Sequence, residues 1–140
     1  MQANAGFEFF PHDADIGIVG RGRTVETAFA QAARALTALV TDAAVEERQS
    51  VAIACAAADR ELLLVAWLNA VIFEMATRCM LFHRFAVRIS DGRLEGEAWG
   101  EPLDVARHAP ACEPKGATCT LLKVARQADG LWRARCVIDL

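Results

Sequence analysis

At 140 residues and 54% hydrophobic content, the chain is expected to form one domain, residues 1–140, that buries its own core without disulfide or metal staples. The formal net charge is −3 and all fifteen basic residues except Lys115 and Lys123 are arginines; with no basic stripe, avid sequence-independent nucleic-acid binding is not expected. No run of about 18 apolar residues and no basic-then-apolar leader occurs, so a cytoplasmic protein without membrane span or signal peptide is expected.

Phe7 to Phe10 and Asp15 to Arg21 are predicted strands, separated by Pro11-His12-Asp13. From Thr24, a natural N-cap, the period changes to helical as far as Val40, with Ala28, Phe29, Ala32 and Leu36 on one face. Glu46 to Gln49 is a solvated link to a strand at Val51 to Ala57. Asp59 caps a second helix from Arg60 to Cys79, whose apolar positions, Leu62 and Phe73 among them, cover much of its circumference and mark it as central.

Phe85, Val87 and Ile89 alternate as a strand face, Asp91-Gly92 signals a hairpin, and Leu94, Ala98 and Trp99 return. Glu101 to Lys115, with Pro102, Pro110 and Pro114, reads as a long ordered loop. Thr118 to Val124, Asp129-Gly130 and Leu131 to Asp139 repeat the hairpin. The sum is an α+β two-layer domain, two helices packed on a mainly antiparallel sheet of about six or seven strands.

Asp13 and Asp15 stand two apart, so in an extended backbone their carboxylates share a face. Like charges there are tolerated in water, with one protonated, or with a cation between them. Asp139 shares its face with Val137, Arg135 and Arg133, opposite Trp132, Cys136 and Ile138, which puts it on the solvent side. If the last strand lies beside the first, hard oxygen ligands gather at one spot. The plain alternative for Asp15 is a turn aspartate accepting backbone N–H groups. An EF-hand is excluded because Ile18 stands where that loop needs glycine.

His12 reads as a loop or capping histidine, His83 and His108 as structural or exposed, and Lys115 as a phosphate or partner contact or a solvated lysine. The five cysteines are odd in number and none stand at Cys-x-x-Cys spacing, so they read as small buried thiols instead of a disulfide framework or zinc knuckle. Ser50 and Ser90, the only serines, lie in no nucleophile elbow, and no Gly-rich phosphate loop follows a strand.

Five segments carry a resemblance: Phe9-Phe10-Pro11-His12-Asp13-Ala14-Asp15-Ile16-Gly17, Glu61 to Asn69, Gly100-Glu101-Pro102 with His108, Lys115-Gly116-Ala117-Thr118, and Val137-Ile138-Asp139-Leu140. In order and over nearly the whole chain they resemble the archease family. The resemblance implies an accessory protein and not an enzyme, an activator of the RtcB-type RNA ligase that joins a 2′,3′-cyclic phosphate or 3′-phosphate end to a 5′-hydroxyl in tRNA splicing and RNA repair. It implies promotion of ligase guanylylation and turnover through a metal-binding acidic tip, with RNA reached only through the ligase.

The implied ligands are Asp15, Asp139 and a main-chain or terminal oxygen of Leu140, with Asp13 a further candidate, holding a divalent cation such as Ca²⁺, Mg²⁺ or Mn²⁺. His12 and Lys115 are candidate partner contacts. Departures from the family pattern are Asp13 where Thr is common, Cys119-Thr120 where Tyr-His is frequent, and Ala70 where Glu often follows the asparagine. A different class remains as the alternative: a general chaperone or modulator of RNA-modifying enzymes working through exposed apolar surface.

Overall fold

The computed structural model describes residues 5–140. In chain order it contains β1 (Gly6–His12), β2 (Asp15–Gly22), α1 (Val25–Val40), β3 (Gln49–Ala56), α2 (Arg60–Arg78), β4 (Met80–Ser90), β5 (Arg93–Pro102), α3 (Val105–His108), β6 (Gly116–Ala117), β7 (Lys123–Arg126) and β8 (Trp132–Asp139). The class is α+β, as expected, but the strands form two antiparallel sheets. One has the order β1-β2-β8-β6 with β7 also paired to β8; the other is β3-β5-β4.

The caps are those the sequence announces. The Thr24 hydroxyl accepts the Thr27 N–H at 3.0 Å and the Asp59 carboxylate accepts the Leu62 N–H at 2.8 Å, each satisfying a helix-start donor. α1 buries Ala28, Phe29, Ala32 and Leu36. It lies so close to β2 that a Cβ on Gly20 would fall 2.2 Å from the Ala28 carbonyl oxygen, and it packs on β4 as well, bridging the sheets.

In α2 the anchor is Trp67, fully buried, whose indole N–H donates to the Phe29 carbonyl at 3.0 Å and whose ring meets Phe85 edge-on at 5.9 Å. Leu62 and Phe73, counted among its apolar positions, face solvent instead. The helix stops at Cys79 in a left-handed conformation and the chain turns at once into β4.

Four expectations are corrected. β1 continues through Pro11 and His12, since His12 pairs with Asp15 and the turn shrinks to Asp13-Ala14. Proline is admissible because β1 is an edge strand, and Asp13 supplies the turn with φ 53°, which aspartate tolerates better than most residues. The single sheet divides because the outer side of β4 meets α1, with the Thr37 hydroxyl donating to the Phe82 carbonyl at 2.6 Å beside a bulge at Phe82/Arg84. One further strand appears because the stretch around Thr118 splits into β6 and β7 about a bend, and α3 forms inside the Pro-rich segment with Asp104 as its cap. The cysteines are not uniformly buried: Cys136 is, Cys55 and Cys112 are half-buried, and Cys79 and Cys119 are exposed, because one ends a helix and the other lies in the bend.

Candidate functional site

Pairing of β2 with β8 ends at Ile16 and Ile138, one step short of Asp15 and Asp139. Continued by one residue, that register sets the two aspartates opposite each other at the end of the sheet. His12 pairs with Asp15 on one side and Gly116 with Asp139 on the other. By alternation these four positions form one row on the face away from Ile16 and Ile138. Strands in a sheet lie about 4.8 Å apart, so members of the row are near neighbours. Asp13 stands next to the row, in the hairpin turn.

The face carrying the row is less open than its charges suggest. Val137 is buried, and the Phe10 ring lies over Gly17 so closely that a Cβ there would fall 2.0 Å from it. Only past this cover does the face open, with Asp13 and Asp139 exposed and Asp15 and Leu140 half-buried. Leu140 packs its side chain against the core.

Among the described residues, no ion pair or hydrogen bond engages the Asp13, Asp15 or Asp139 carboxylate, and no three His, Cys, Asp or Glu side chains converge as a ready metal cage. The Nδ1 atom of His12 is buried and has no hydrogen-bond partner among the described residues. Two facing carboxylates with main-chain oxygens are hard donors that fit Ca²⁺, Mg²⁺ or Mn²⁺ in preference to Zn²⁺. Asp15, Asp139 and the Leu140 main chain would hold such an ion, with the remaining ligands supplied by water or a partner.

The other side of the row is built from β6. The exposed Lys115 donates its backbone N–H to the Asp139 carbonyl at 2.8 Å, which brings this candidate contact to the same end as His12. β6 is in turn held by Asn69 of α2, whose side-chain oxygen accepts the Ala117 N–H at 2.8 Å. In the sequence Asn69 stands only as the last letter of the Glu61 to Asn69 motif. A polar residue straight after the buried Trp67-Leu68 pair was the available signal that its side chain has backbone to satisfy.

A second polar group lies further back along the Pro-rich segment. Glu101, 1% exposed, accepts hydrogen bonds from the Glu46 N–H at 2.6 Å, from Arg107 and from His108 Nε2 at 3.2 Å. His108 Nδ1 accepts the Asp104 N–H at 2.9 Å, which leaves the ring hydrogen on Nε2 to donate to Glu101. The Arg107 hydrogen bond, ahead of those from Glu46 and His108, holds the Glu101 carboxyl down at about 2. Every member of this group has a partner, so it fastens α3 to the end of β5 and makes His108 structural.

Against the Pro-rich segment a cleft of about 430 Å³ opens, lined by Ile72, Met75, Cys79, Leu103, Cys112 and neighbours. Among the described residues, Glu113 is the one charged residue in its lining.

Fold and row together define a small α+β domain with an acidic sheet end assembled from its first hairpin and its last strand. Residues 7–140 match the Archease protein family (MTH1598/TM1083), and the chain belongs to that family. It is 34% identical to protein archease of Pyrococcus furiosus over 139 residues, 96% of this chain and 98% of that one. It is 37% identical to protein archease of Methanopyrus kandleri over 139 residues, 96% and 99%. The solution structure of Methanobacterium thermoautotrophicum protein 1598 superposes with a TM-score of 0.83 at 34% identity, covering 96% of this chain and 99% of that one. No described helix is long and apolar enough to cross a membrane.

Proposed function

We propose that this archease-family chain is a cytoplasmic accessory factor that activates an RtcB-type RNA ligase, promoting its guanylylation and multiple turnover in tRNA splicing and RNA repair, and performs no catalysis itself. The observation that supports the proposal is the row at the sheet end: carried one residue past Ile16 and Ile138, the β2–β8 register sets Asp15 opposite Asp139, and neither carboxylate has a partner among the described residues. Free carboxylates on the ends of paired strands reach a partner's metal centre without rearrangement. There, local charge governs how nucleotide and metal are arranged.

A bound divalent cation at Asp15, Asp139 and Leu140 would supply positive charge to that contact. His12, in the same row, and Lys115, beside Asp139, flank it and would meet the ligase surface. RNA is reached only through the ligase, in keeping with the net negative charge of this chain.

The test is a guanylylation and multiple-turnover joining assay with the cognate ligase, GTP and a divalent metal, at substoichiometric amounts of this protein. The parent should accelerate both steps, and Asp15→Ala and Asp139→Ala should lose the stimulation while melting cooperatively. Folded variants that stimulate like the parent would sink the acidic-end mechanism. A parent with no effect on its cognate ligase would sink the activator assignment, and suppression of aggregation in unrelated proteins by that same parent would favour the chaperone alternative.

A further inference from the structure

The Asp139–Leu140 end of β8 is fastened on one side only. Pairing with β2 stops at Ile138, so the main-chain bonds that reach Asp139 come from β6: its pairing with Gly116 and the Lys115 N–H on its carbonyl at 2.8 Å. Yet β6 is two residues long. A strand so short makes few ladder bonds of its own, supplemented by Thr118, whose N–H and hydroxyl donate to the Val137 carbonyl at 3.0 and 2.9 Å, and among the described residues no further strand lies on its other side.

α2 stands in for the missing strand. Asn69 offers Ala117 what a neighbouring strand would, accepting its N–H at 2.8 Å and donating weakly to its carbonyl at 3.4 Å. Two turns earlier Glu61 accepts the Val124 N–H at 3.0 Å and so does the same for β7. The spacing explains how one helix serves both. Eight helical residues rise about 12 Å, and the partners of Ala117 and Val124 on β8, Ile138 and Ala134, lie four strand residues or about 13 Å apart. At Gly116 a Cβ would meet the Asn69 side-chain oxygen at 3.4 Å, an ordinary contact, so Asn69 rests on the strand that carries Lys115 into the acidic end.

We infer that Asn69 is a positioning residue for the acidic end: by clamping β6 it holds the Asp139 and Leu140 oxygens where the site needs them. This rests on the proposed cation-holding role of Asp15, Asp139 and Leu140. Asn69 itself touches no cation. Its action runs through Ala117, Gly116 and Lys115 to Asp139.

The experiment compares the parent, Asn69→Ala and Asn69→Asp by amide hydrogen exchange at Lys115, Gly116 and Ala117, and by titration with MnCl₂ read as paramagnetic broadening of the Asp139 and Leu140 amide signals. Asn69 is exposed on a helix, where alanine is favourable, so Asn69→Ala should fold and melt cooperatively. It should also speed exchange at the three amides and weaken Mn²⁺ binding about tenfold or more, the usual cost of losing a residue that orients a metal ligand. Asn69→Asp keeps the acceptor for the Ala117 N–H and should restore protection and binding. If the parent binds Mn²⁺ and Asn69→Ala binds it equally well, or leaves exchange unchanged, the positioning role is overturned. If the parent takes up no Mn²⁺, the cation reading of the acidic end fails, and the positioning role falls with it.

Discussion

Asp15→Asn should stabilise the protein in chelator and remove its stabilisation by divalent cations. Asp15 and Asp139 lie one residue beyond the last paired residues Ile16 and Ile138, and the same register carried one step further would set their Cβ atoms roughly 5 Å apart. Two unit charges at that distance in water repel by about 0.8 kcal/mol, within the range for like charges facing across a strand pair. Replacing one carboxylate by its neutral isostere removes that repulsion, and in a domain of this length should raise the melting temperature by about 2–3 °C. The gain should shrink in 1 M monovalent salt, where the screening length falls to about 3 Å.

Divalent cation reverses the order. At roughly a hundred times its dissociation constant it should stabilise the parent by about 2.7 kcal/mol, roughly 8 °C by the same conversion, and Asp15→Asn much less. Scanning calorimetry in chelator and then in Ca²⁺, Mg²⁺ or Mn²⁺ measures both differences without any ligase. A variant that melts below the parent in chelator, or an equal upward shift of both proteins with cation, would refute the facing-carboxylate geometry.

The buried Glu101 makes stability sensitive to acid. Its folded carboxyl lies at about 2, depressed from the ordinary 4.5 chiefly by Arg107, so its contribution is fully present above about 4.5 and is lost as pH falls toward 2. Arg107→Ala should therefore move the midpoint of acid unfolding, followed by circular dichroism, to higher pH, and an unmoved midpoint would count against the pairing. Among the cysteines, exposed Cys79 and Cys119 should be alkylated rapidly in the native state. Burial, then the neighbouring Cys119, pushes the Cys136 thiol up to about 12, so mass spectrometry should find Cys136 labelled only after unfolding, and native labelling of Cys136 would show its strand to be open.

Helices and hairpins were legible because their signals are local: Thr24 and Asp59 cap as their types dictate, and Asp91-Gly92 turns with both residues at positive φ. What stayed hidden was set by distant partners. Pro11 reads as a break until β1 is known to be an edge strand, and the outward-facing Val137 reads as exposed until Phe10 is seen lying over its neighbour Gly17. The division into two sheets depends on α1 meeting the side of β4, which no periodicity encodes. At the site, parity along β8 places Asp139 on the face away from Ile138, and the last strand lies not beside the first but beside β2, the second strand of the first hairpin, which is the one that carries Asp15. Asn69 escaped because a helix residue that satisfies a strand looks like any other polar position.

The acidic end also shows why stability and function should separate within a single step of register. Ile16 and Ile138 form the last core pair, with Ile138 fully buried, and truncating such a side chain typically costs about 2–5 kcal/mol. Asp15 and Asp139, one residue further, give the core nothing and load it with repulsion. Carboxylates that oppose folding gain a purpose only if a cation or a partner's positive centre neutralises them. The β2–β8 pairing thus ends at Ile138, and beyond it the Asp139 main chain is held from the β6 side while its carboxylate is left without a partner among the described residues, so an incoming positive centre would meet a side chain whose backbone is already placed.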